Sequence, residues 1–128
     1  MIDHISFGTR RYTDAVAFYQ AALAPLGVTL LRDTGAEAAF GTPTQWCFFL
    51  YPADAGEPVI GNKTHLAWAA ASRSAVAAVH AAALQAGGAD IFSPRLRPDI
   101  DTTYFGAMFH DLDGHRIEVK TDAPATLP

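Results

Sequence analysis

The sequence predicts an α+β fold made of two copies of one βαβββ module. Three observations lead to this prediction: segments in which apolar residues alternate, two helical stripes that each follow such a segment, and an offset of 61 residues that superimposes the two halves. We expect one domain with a first module over about 1–52, a linker over about 53–63, a second module over about 64–121 and a C-terminal tail over 122–128.

The first module opens with a strand and a helix. In residues 2–7, Ile5 and Phe7 share one face while His4 and Ser6 share the other, as alternation along a strand requires. A stripe of apolar residues at helical spacing follows, and a proline and a glycine end it. The stripe consists of Ala15, Val16, Phe18, Tyr19, Ala22, Leu23 and Leu26.

Three more strands complete the first module, and the same order then returns. The second module begins with a strand over 64–69, and Ser72 is a suitable helix N-cap. The stripe of the second helix consists of Val76, Val79, His80, Ala83 and Leu84. The remaining strands are expected at 28–32, 37–40 and 46–51 in the first module and at 89–92, 103–110 and 116–121 in the second, with a loop over 93–101.

The repeat relates residues that can carry chemistry. The offset of 61 places His4 on His65, and an offset of 69, which allows for the longer loop of the second module, places Phe49 on Glu118. The neighbours of His4, His65 and Glu118 in their strands are apolar, so these three side chains should point away from the helices. If both sheets curve around one cavity, the three side chains converge there.

Two imidazoles and one carboxylate suit a divalent metal ion. Zn, Fe, Mn, Ni and Co all accept such ligands, so the sequence does not distinguish among them. Three protein ligands leave coordination positions open for water or substrate, as in catalytic sites. Taken singly, His4 and His65 would be ordinary polar strand residues and Glu118 a solvent-facing one, and only their coincidence with the repeat favours a metal site.

Two motifs resemble those of the vicinal-oxygen-chelate superfamily, which includes glyoxalases, bleomycin-resistance proteins and extradiol dioxygenases. The opening Ile2-Asp3-His4-Ile5-Ser6-Phe7, followed by Ala17-Phe18-Tyr19, is similar to the start of these proteins, and 109–118 is similar to their last hairpin, in which the glutamate is a ligand. The resemblance implies two βαβββ modules whose sheets form a partly open, curved barrel around a metal, with the helices outside. It also implies ligation by His4, His65 and Glu118 and a homodimer, with module pairing within or between subunits left open.

One position departs from the glyoxalase I pattern of four ligands. Phe49 stands where the fourth ligand is expected, and the remaining His, His, Glu set resembles that of extradiol dioxygenases. We therefore expect a glyoxalase-like lyase or dioxygenase-like enzyme for a small substrate that chelates the metal through vicinal oxygens. The alternative is a non-catalytic, drug-binding protein of the bleomycin-resistance type, and a third possibility is a relative whose metal is only structural.

Residues expected around the metal give candidates for catalysis and substrate binding. Glu118 and His110 are the candidate acid–base groups, because a histidine side chain ordinarily changes protonation near neutral pH. One interpretation is an aromatic and cationic pocket for a small oxyanion-bearing ligand. The alternative is that the aromatic residues belong to the core and that Arg97 is a solvated loop residue. The candidate substrate contacts are Tyr104 first, then Trp46, Arg97, Phe49, Tyr51 and Met108, with Cys47 on the face of Phe49 and Tyr51.

The other histidines and the overall composition set further expectations. His80 should be buried and hydrogen-bonded on its helix, whereas His115 beside the hairpin turn should be exposed. The net charge is −4 without a basic stripe, which argues against nucleic-acid binding, and no apolar run reaches the roughly 20 residues of a membrane span. A single cysteine excludes an internal disulfide, and together with the lack of a signal-peptide pattern it predicts a cytoplasmic protein.

Overall fold

A computed structural model describes residues 1–125 of the chain and confirms the two βαβββ modules; the last three residues of the predicted tail lie outside this range. The first module consists of β1 (Ile5–Thr9), α1 (Tyr12–Leu23), β2 (Thr29–Asp33), β3 (Ala38–Thr42) and β4 (Gln45–Pro52). The second consists of β5 (His65–Ala69), α2 (Arg73–Gln85), β6 (Ala89–Leu96), β7 (Phe105–His110) and β8 (Arg116–Thr121).

Each module forms its own four-stranded mixed sheet, and the sheets are not closed into a barrel. The strand orders are β1-β4-β3-β2 and β5-β8-β7-β6. In both sheets the first strand runs parallel to the fourth, which requires a crossover, and the helix of the module supplies it. Ser6 pairs with Phe49 in the first sheet and Ala67 pairs with Glu118 in the second, so the two ladders confirm both offsets of the repeat.

One face of each sheet packs into a core shared with the helices. The predicted stripes are the buried sides of α1 and α2, and the two helices also contact each other. Ser72 caps α2 as predicted, since its hydroxyl accepts from the Ala75 amide at 3.1 Å. The predicted burial of His80 is confirmed as well: it is 6 % exposed and lies 2.8 Å from Asp90 Oδ1.

The largest differences between the observed and predicted strand bounds are in β6 and β1. β6 continues to Leu96, where 93–101 was expected to be a loop, because Arg95 and Leu96 still pair with β7. Pro94 is tolerated there because β6 is an edge strand. β1 starts at Ile5 rather than at residue 2, so His4 lies directly before the strand.

A bulge in the first sheet corrects the predicted position of Cys47. Phe40 pairs with Phe48 but Gly41 pairs with Trp46, which leaves Cys47 as the extra residue of β4. Cys47 packs partly against the core, and burial raises the pKa of its thiol. Strict alternation with Phe49 therefore fails at this residue.

Candidate metal centre

Neighbouring strands of the second sheet bring His65 and Glu118 together. β5 and β8 are paired in parallel, with Ala67 opposite Glu118, and the apolar neighbours of Glu118 are buried on the other side of the sheet. His65 Nε2 lies 3.2 Å from Glu118 Oε1, and the two side chains are 47 % and 13 % exposed. The pair thus lies on the face opposite the helix, as the sequence predicts, and it is open to solvent on the side of His65.

Tyr104 holds the second oxygen of the same carboxylate. Its hydroxyl donates to Glu118 Oε2 at 2.8 Å, and the residue is only 2 % exposed. Burial raises the pKa of Tyr104 well above its ordinary value of 10, and the hydrogen bond to Glu118 and the charge of that carboxylate raise it further. The phenol therefore keeps its proton and acts as a donor at neutral pH. This position was predicted as a substrate contact, and in the structure its hydroxyl is engaged by Glu118.

His4 lies directly before β1 of the first sheet, away from the other two predicted ligands. Its Nδ1 is 2.7 Å from Asp3 Oδ1, and its ring meets the Phe49 ring edge to face with centroids 5.2 Å apart. Within residues 1–125 of one chain, His4, His65 and Glu118 do not form a group with ligand atoms within 4.8 Å. The reason is topological, because His4 precedes the first strand of one sheet, whereas the other two residues belong to strands of a separate sheet.

Two further aromatic side chains lie beside Phe49 on the first sheet. The Phe49 ring lies 6.4 Å from Trp46 and also 6.4 Å from Tyr51, with the latter pair nearly parallel. Trp46 is 39 % and Tyr51 37 % exposed, and the Arg32 guanidinium lies over Trp46 at 4.7 Å. Three of the predicted substrate contacts therefore share one half-exposed surface on the first sheet, whereas Glu118 belongs to the second sheet.

The remaining predicted contacts lie on or beside the second sheet. Met108 pairs with Glu118 across β7 and β8, and His110 follows two residues later on β7, opposite Arg116. Arg97 lies over the Phe92 ring at 4.9 Å. Its guanidinium donates two hydrogen bonds to Asp99, at 2.9 and 2.7 Å, so the cation is already paired. Arg97 lies after β6, as a loop residue would, but its side chain is only 34 % exposed and packs on an aromatic ring.

A second group of possible metal ligands lies in the last hairpin. Asp111, Asp113 and His115 are the one set of three in residues 1–125 whose ligand atoms all lie within 4.8 Å, and the chemistry of these donors could hold a metal ion. Sequence reasoning did not single out this set. The sequence feature that could have indicated this set is Asp111 at the start of the turn. Its carboxylate accepts hydrogen bonds from the amides of Asp113 and His115, which brings the three side chains together.

The ligand atoms of this group already have protein partners. His115 Nδ1 lies 2.8 Å from Asp111 Oδ2, and its Nε2 lies 2.7 Å from the Val59 carbonyl oxygen. Thr9 donates to Asp113 Oδ2 at 2.5 Å and the Arg10 amide to Oδ1 at 2.9 Å. The hairpin is therefore bonded to the end of β1 and to the linker.

The expectation that His115 is exposed is wrong, since it is 6 % exposed and stacks on Phe7 with centroids 4.3 Å apart. Burial alone would lower the pKa of His115, but the hydrogen bond and charge of Asp111 raise it above its ordinary value. Both ring nitrogens face acceptors, which fits a protonated imidazole. Burial would raise the pKa of Asp111, yet its bonds from His115 and Tyr19 lower it. The cluster is thus a buried ion pair.

Comparisons with known proteins agree with the fold and the motifs. A sequence model of the Glyoxalase/Bleomycin resistance protein/Dioxygenase superfamily matches residues 1–119. No curated protein matches the chain. Among the described residues, none of the helices is both long and apolar enough to cross a lipid bilayer.

Solved structures share this architecture over nearly their whole length. A glyoxalase/bleomycin resistance protein from Albidiferax ferrireducens T118 is 26 % identical, with a TM-score of 0.82 over 97 % of this chain and 99 % of that one. A glyoxalase/bleomycin resistance protein/dioxygenase family enzyme from Burkholderia phytofirmans PsJN is 18 % identical, with a TM-score of 0.73 over 94 % and 98 %. A mutant of the fosfomycin resistance protein FosX from Listeria monocytogenes, complexed with Mn(II) and 1S,2S-dihydroxypropylphosphonic acid, is 18 % identical, with a TM-score of 0.67 over 99 % and 91 %.

Proposed function

The chain belongs to the glyoxalase/bleomycin resistance protein/dioxygenase superfamily, and on that premise we propose that it is a divalent-metal-dependent enzyme. Its substrate is a small molecule with two adjacent oxygens, and the reaction is of the glyoxalase or dioxygenase kind. The ligands are His65 and Glu118 of one chain and His4 of a second copy. The observation that carries the proposal is the separation of 3.2 Å between His65 Nε2 and Glu118 Oε1.

This separation fits two ligands of one ion. Donor atoms about 2.0–2.2 Å from a metal, in tetrahedral or octahedral arrangement, lie roughly 3.0–3.4 Å from each other. Glu118 is mostly buried while His65 is half exposed, so an ion has a route from solution. The donors of the Asp111, Asp113 and His115 group, by contrast, are already hydrogen-bonded within the protein. The choice between the two groups therefore favours His65 and Glu118.

A second copy of the chain can supply the third ligand. Each sheet packs one face against the core, whereas Glu118 lies on the opposite face of the second sheet and His4, 53 % exposed, lies directly before β1 of the first. A symmetric dimer that places the first sheet of one copy over the second sheet of the other would complete two equivalent sites. The exposed Trp46 and Tyr51 would be covered in the same interface. We place this homodimer in the cytoplasm, in keeping with its single cysteine.

The protein groups around the site have distinct roles in this proposal. A bound divalent cation would supply Lewis acidity toward the two adjacent oxygens of the substrate. His110, on the strand next to β8, is the candidate to accept or return a proton, with Glu118 as a second candidate. The aromatic residues around Phe49 would exclude water, and an anionic group of the substrate would have to replace Asp99 as the partner of Arg97. The FosX complex, with Mn(II) and a compound that has adjacent hydroxyls, supports this substrate class.

The aromatic surface also favours a second candidate function. Phe49 stands where the glyoxalase I pattern has its fourth metal ligand. Its hydrocarbon ring lies between the half-exposed Trp46 and Tyr51. A surface of this kind can bind a flat drug-like molecule without metal or catalysis. In that case removal of His65 or Glu118 would leave ligand affinity unchanged, which separates the two functions.

Metal analysis of the purified, reconstituted protein tests the proposal. We expect one divalent ion per chain in the wild type, and less than a tenth of that occupancy in His65→Ala and Glu118→Ala at the same free metal concentration. Asp113→Asn is the matched control at the other group, and it should keep full occupancy. Loss of metal in Asp113→Asn alone would assign the ion to the hairpin, and a wild type without metal would overturn the enzyme proposal.

A further inference from the structure

We infer that Tyr104 is a positioning residue that fixes the Glu118 carboxylate for metal binding. The inference rests on the proposed metal site at His65 and Glu118. It gives Tyr104 a role different from the substrate contact that its sequence position suggests. Tyr104 would act through Glu118, without itself touching metal or substrate.

The carboxylate of Glu118 is held from two sides. Tyr104 donates to Oε2 at 2.8 Å, while Oε1 lies 3.2 Å from His65 Nε2. One oxygen is thereby occupied by a protein donor, and the other is left for an ion shared with the imidazole. A carboxylate bonded in this way is limited to binding a metal through one oxygen, and its orientation is set before the ion arrives.

Gly106 makes this arrangement possible. A Cβ atom at Gly106 would lie 2.4 Å from the Tyr104 hydroxyl oxygen and 2.6 Å from Cζ, closer than real side chains approach. The Tyr104 ring therefore lies over the backbone of Gly106 in β7, and its hydroxyl reaches Glu118 on β8. Any side chain larger than hydrogen at position 106 would displace the ring from Glu118.

The ring of Tyr104 is also buried, with a lysine beside it. The residue is 2 % exposed, and the Lys120 ammonium lies 5.6 Å from the ring centroid. Lys120 pairs with Gly106 across β7 and β8, so the residues next to the ring belong to the same two strands as Glu118. The hydroxyl consequently has a defined place beside β7 and β8.

Removal of the hydroxyl should weaken metal binding without unfolding the protein. Groups that orient a ligand typically change metal affinity by about 10- to 100-fold when they are mutated. Tyr104→Phe keeps the ring and its packing, so we expect a loss of metal affinity in that range. Gly106→Ala should cause a similar loss, and the double variant should lose no more than Gly106→Ala, because both changes break the same hydrogen bond.

The test is titration of the metal-free protein with Mn(II) and with Co(II), followed by calorimetry and by the visible absorption of bound Co(II). Tyr12→Phe is the control, because Tyr12 also donates to a carboxylate, at 2.6 Å from Asp33, but far along the chain from the site. We expect weaker binding and a changed Co(II) spectrum in Tyr104→Phe and neither effect in Tyr12→Phe.

The outcomes separate this inference from the proposed function. If the wild type binds metal through His65 and Tyr104→Phe binds it with equal affinity and an unchanged spectrum, Tyr104 is a packing residue and the inference is overturned, while the metal site stands. If the wild type binds no Mn(II) or Co(II), or if His65→Ala binds them as well as the wild type, the proposed site fails and the inference fails with it. Thermal unfolding of each variant excludes global loss of structure as the cause.

Discussion

Phe49 occupies in the first sheet the position that Glu118 occupies in the second. Phe49 pairs with Ser6 on β1, and Glu118 pairs with Ala67 on β5. Each of the two residues lies beside the histidine of its own sheet, Phe49 through ring contact and Glu118 through its carboxylate. The first sheet therefore offers one proposed ligand and the second offers two, which leaves one side of the proposed site lined by an aromatic ring.

A carboxylate at this position should strengthen metal binding. In Phe49→Glu the new side chain would stand beside His4 as Glu118 stands beside His65, so we expect metal affinity to rise by about tenfold. Thr29→Glu adds the same charge on an exposed edge strand of that sheet and should leave the affinity unchanged. Calorimetric titration with Mn(II) measures both variants. Equal affinity in Phe49→Glu and the wild type would show that the first sheet does not face the ion.

Mixed dimers test whether two copies share each site. His4→Ala and Glu118→Ala dimers should each lose metal. A heterodimer of one His4→Ala and one Glu118→Ala chain keeps one complete set of ligands, so it should recover about half of the wild-type metal content, as twofold symmetry requires. The heterodimer can be purified with two different affinity tags and measured by elemental analysis. If it remains empty of metal, the ligands do not come from different chains.

Association and metal binding should be coupled. We expect a dimer at micromolar concentration in sedimentation equilibrium. Trp46→Asp places a charge on the surface that carries the exposed Trp46 and Tyr51, and it should weaken association by at least tenfold. Metal affinity should fall with it, because a monomer lacks the second copy's His4. A monomeric wild type that binds metal normally would disprove the coupling.

The buried pair of His115 and Asp111 should make stability depend on pH. The raised pKa of His115 means that its contribution is fully present below the unfolded value near 6.5 and is lost as the pH rises through the folded value. The lowered pKa of Asp111 means that its contribution is present above the unfolded value near 3.8 and is lost as the pH falls through the folded value. Stability should therefore be greatest between these two limits.

Urea unfolding from pH 3 to 9 measures this dependence. Replacement of one partner of a buried ion pair costs about 3 kcal/mol or more, so Asp111→Asn and His115→Asn should both be destabilised near pH 6. His115→Asn should also lose the alkaline decline in the free energy of unfolding, since asparagine does not titrate. An unchanged alkaline decline in that variant would assign it to other groups.

The fold was predictable because local patterns and their repetition carry it. Alternation and helical stripes identify which face of each element is buried. The 61- and 69-residue offsets identify the equivalent strands of the two modules, as the matching ladders through Phe49 and Glu118 show. The face shared by His65 and Glu118 followed from the same reasoning, and the observed parallel pairing of β5 with β8 brings the two side chains together.

Other features depend on contacts that a single strand pattern does not contain. The bulge at Cys47 arises from pairing with β3, and the burial of His115 arises from its bonds to Asp111 and to the linker at Val59. The separation of His4 from the other two ligands depends on how the two sheets are arranged around the helices. Local alternation shows which way a side chain points, but it does not show which surface it meets.

Anomalous scattering from crystals grown with Mn(II) tests the proposed site most directly. We expect one peak per chain, about 2.0–2.3 Å from His65 Nε2 and Glu118 Oε1 and at similar distance from a ring nitrogen of His4 of a second copy. A peak between Asp111, Asp113 and His115, or an ion at His65 and Glu118 with His4 of every copy remote from it, would contradict it.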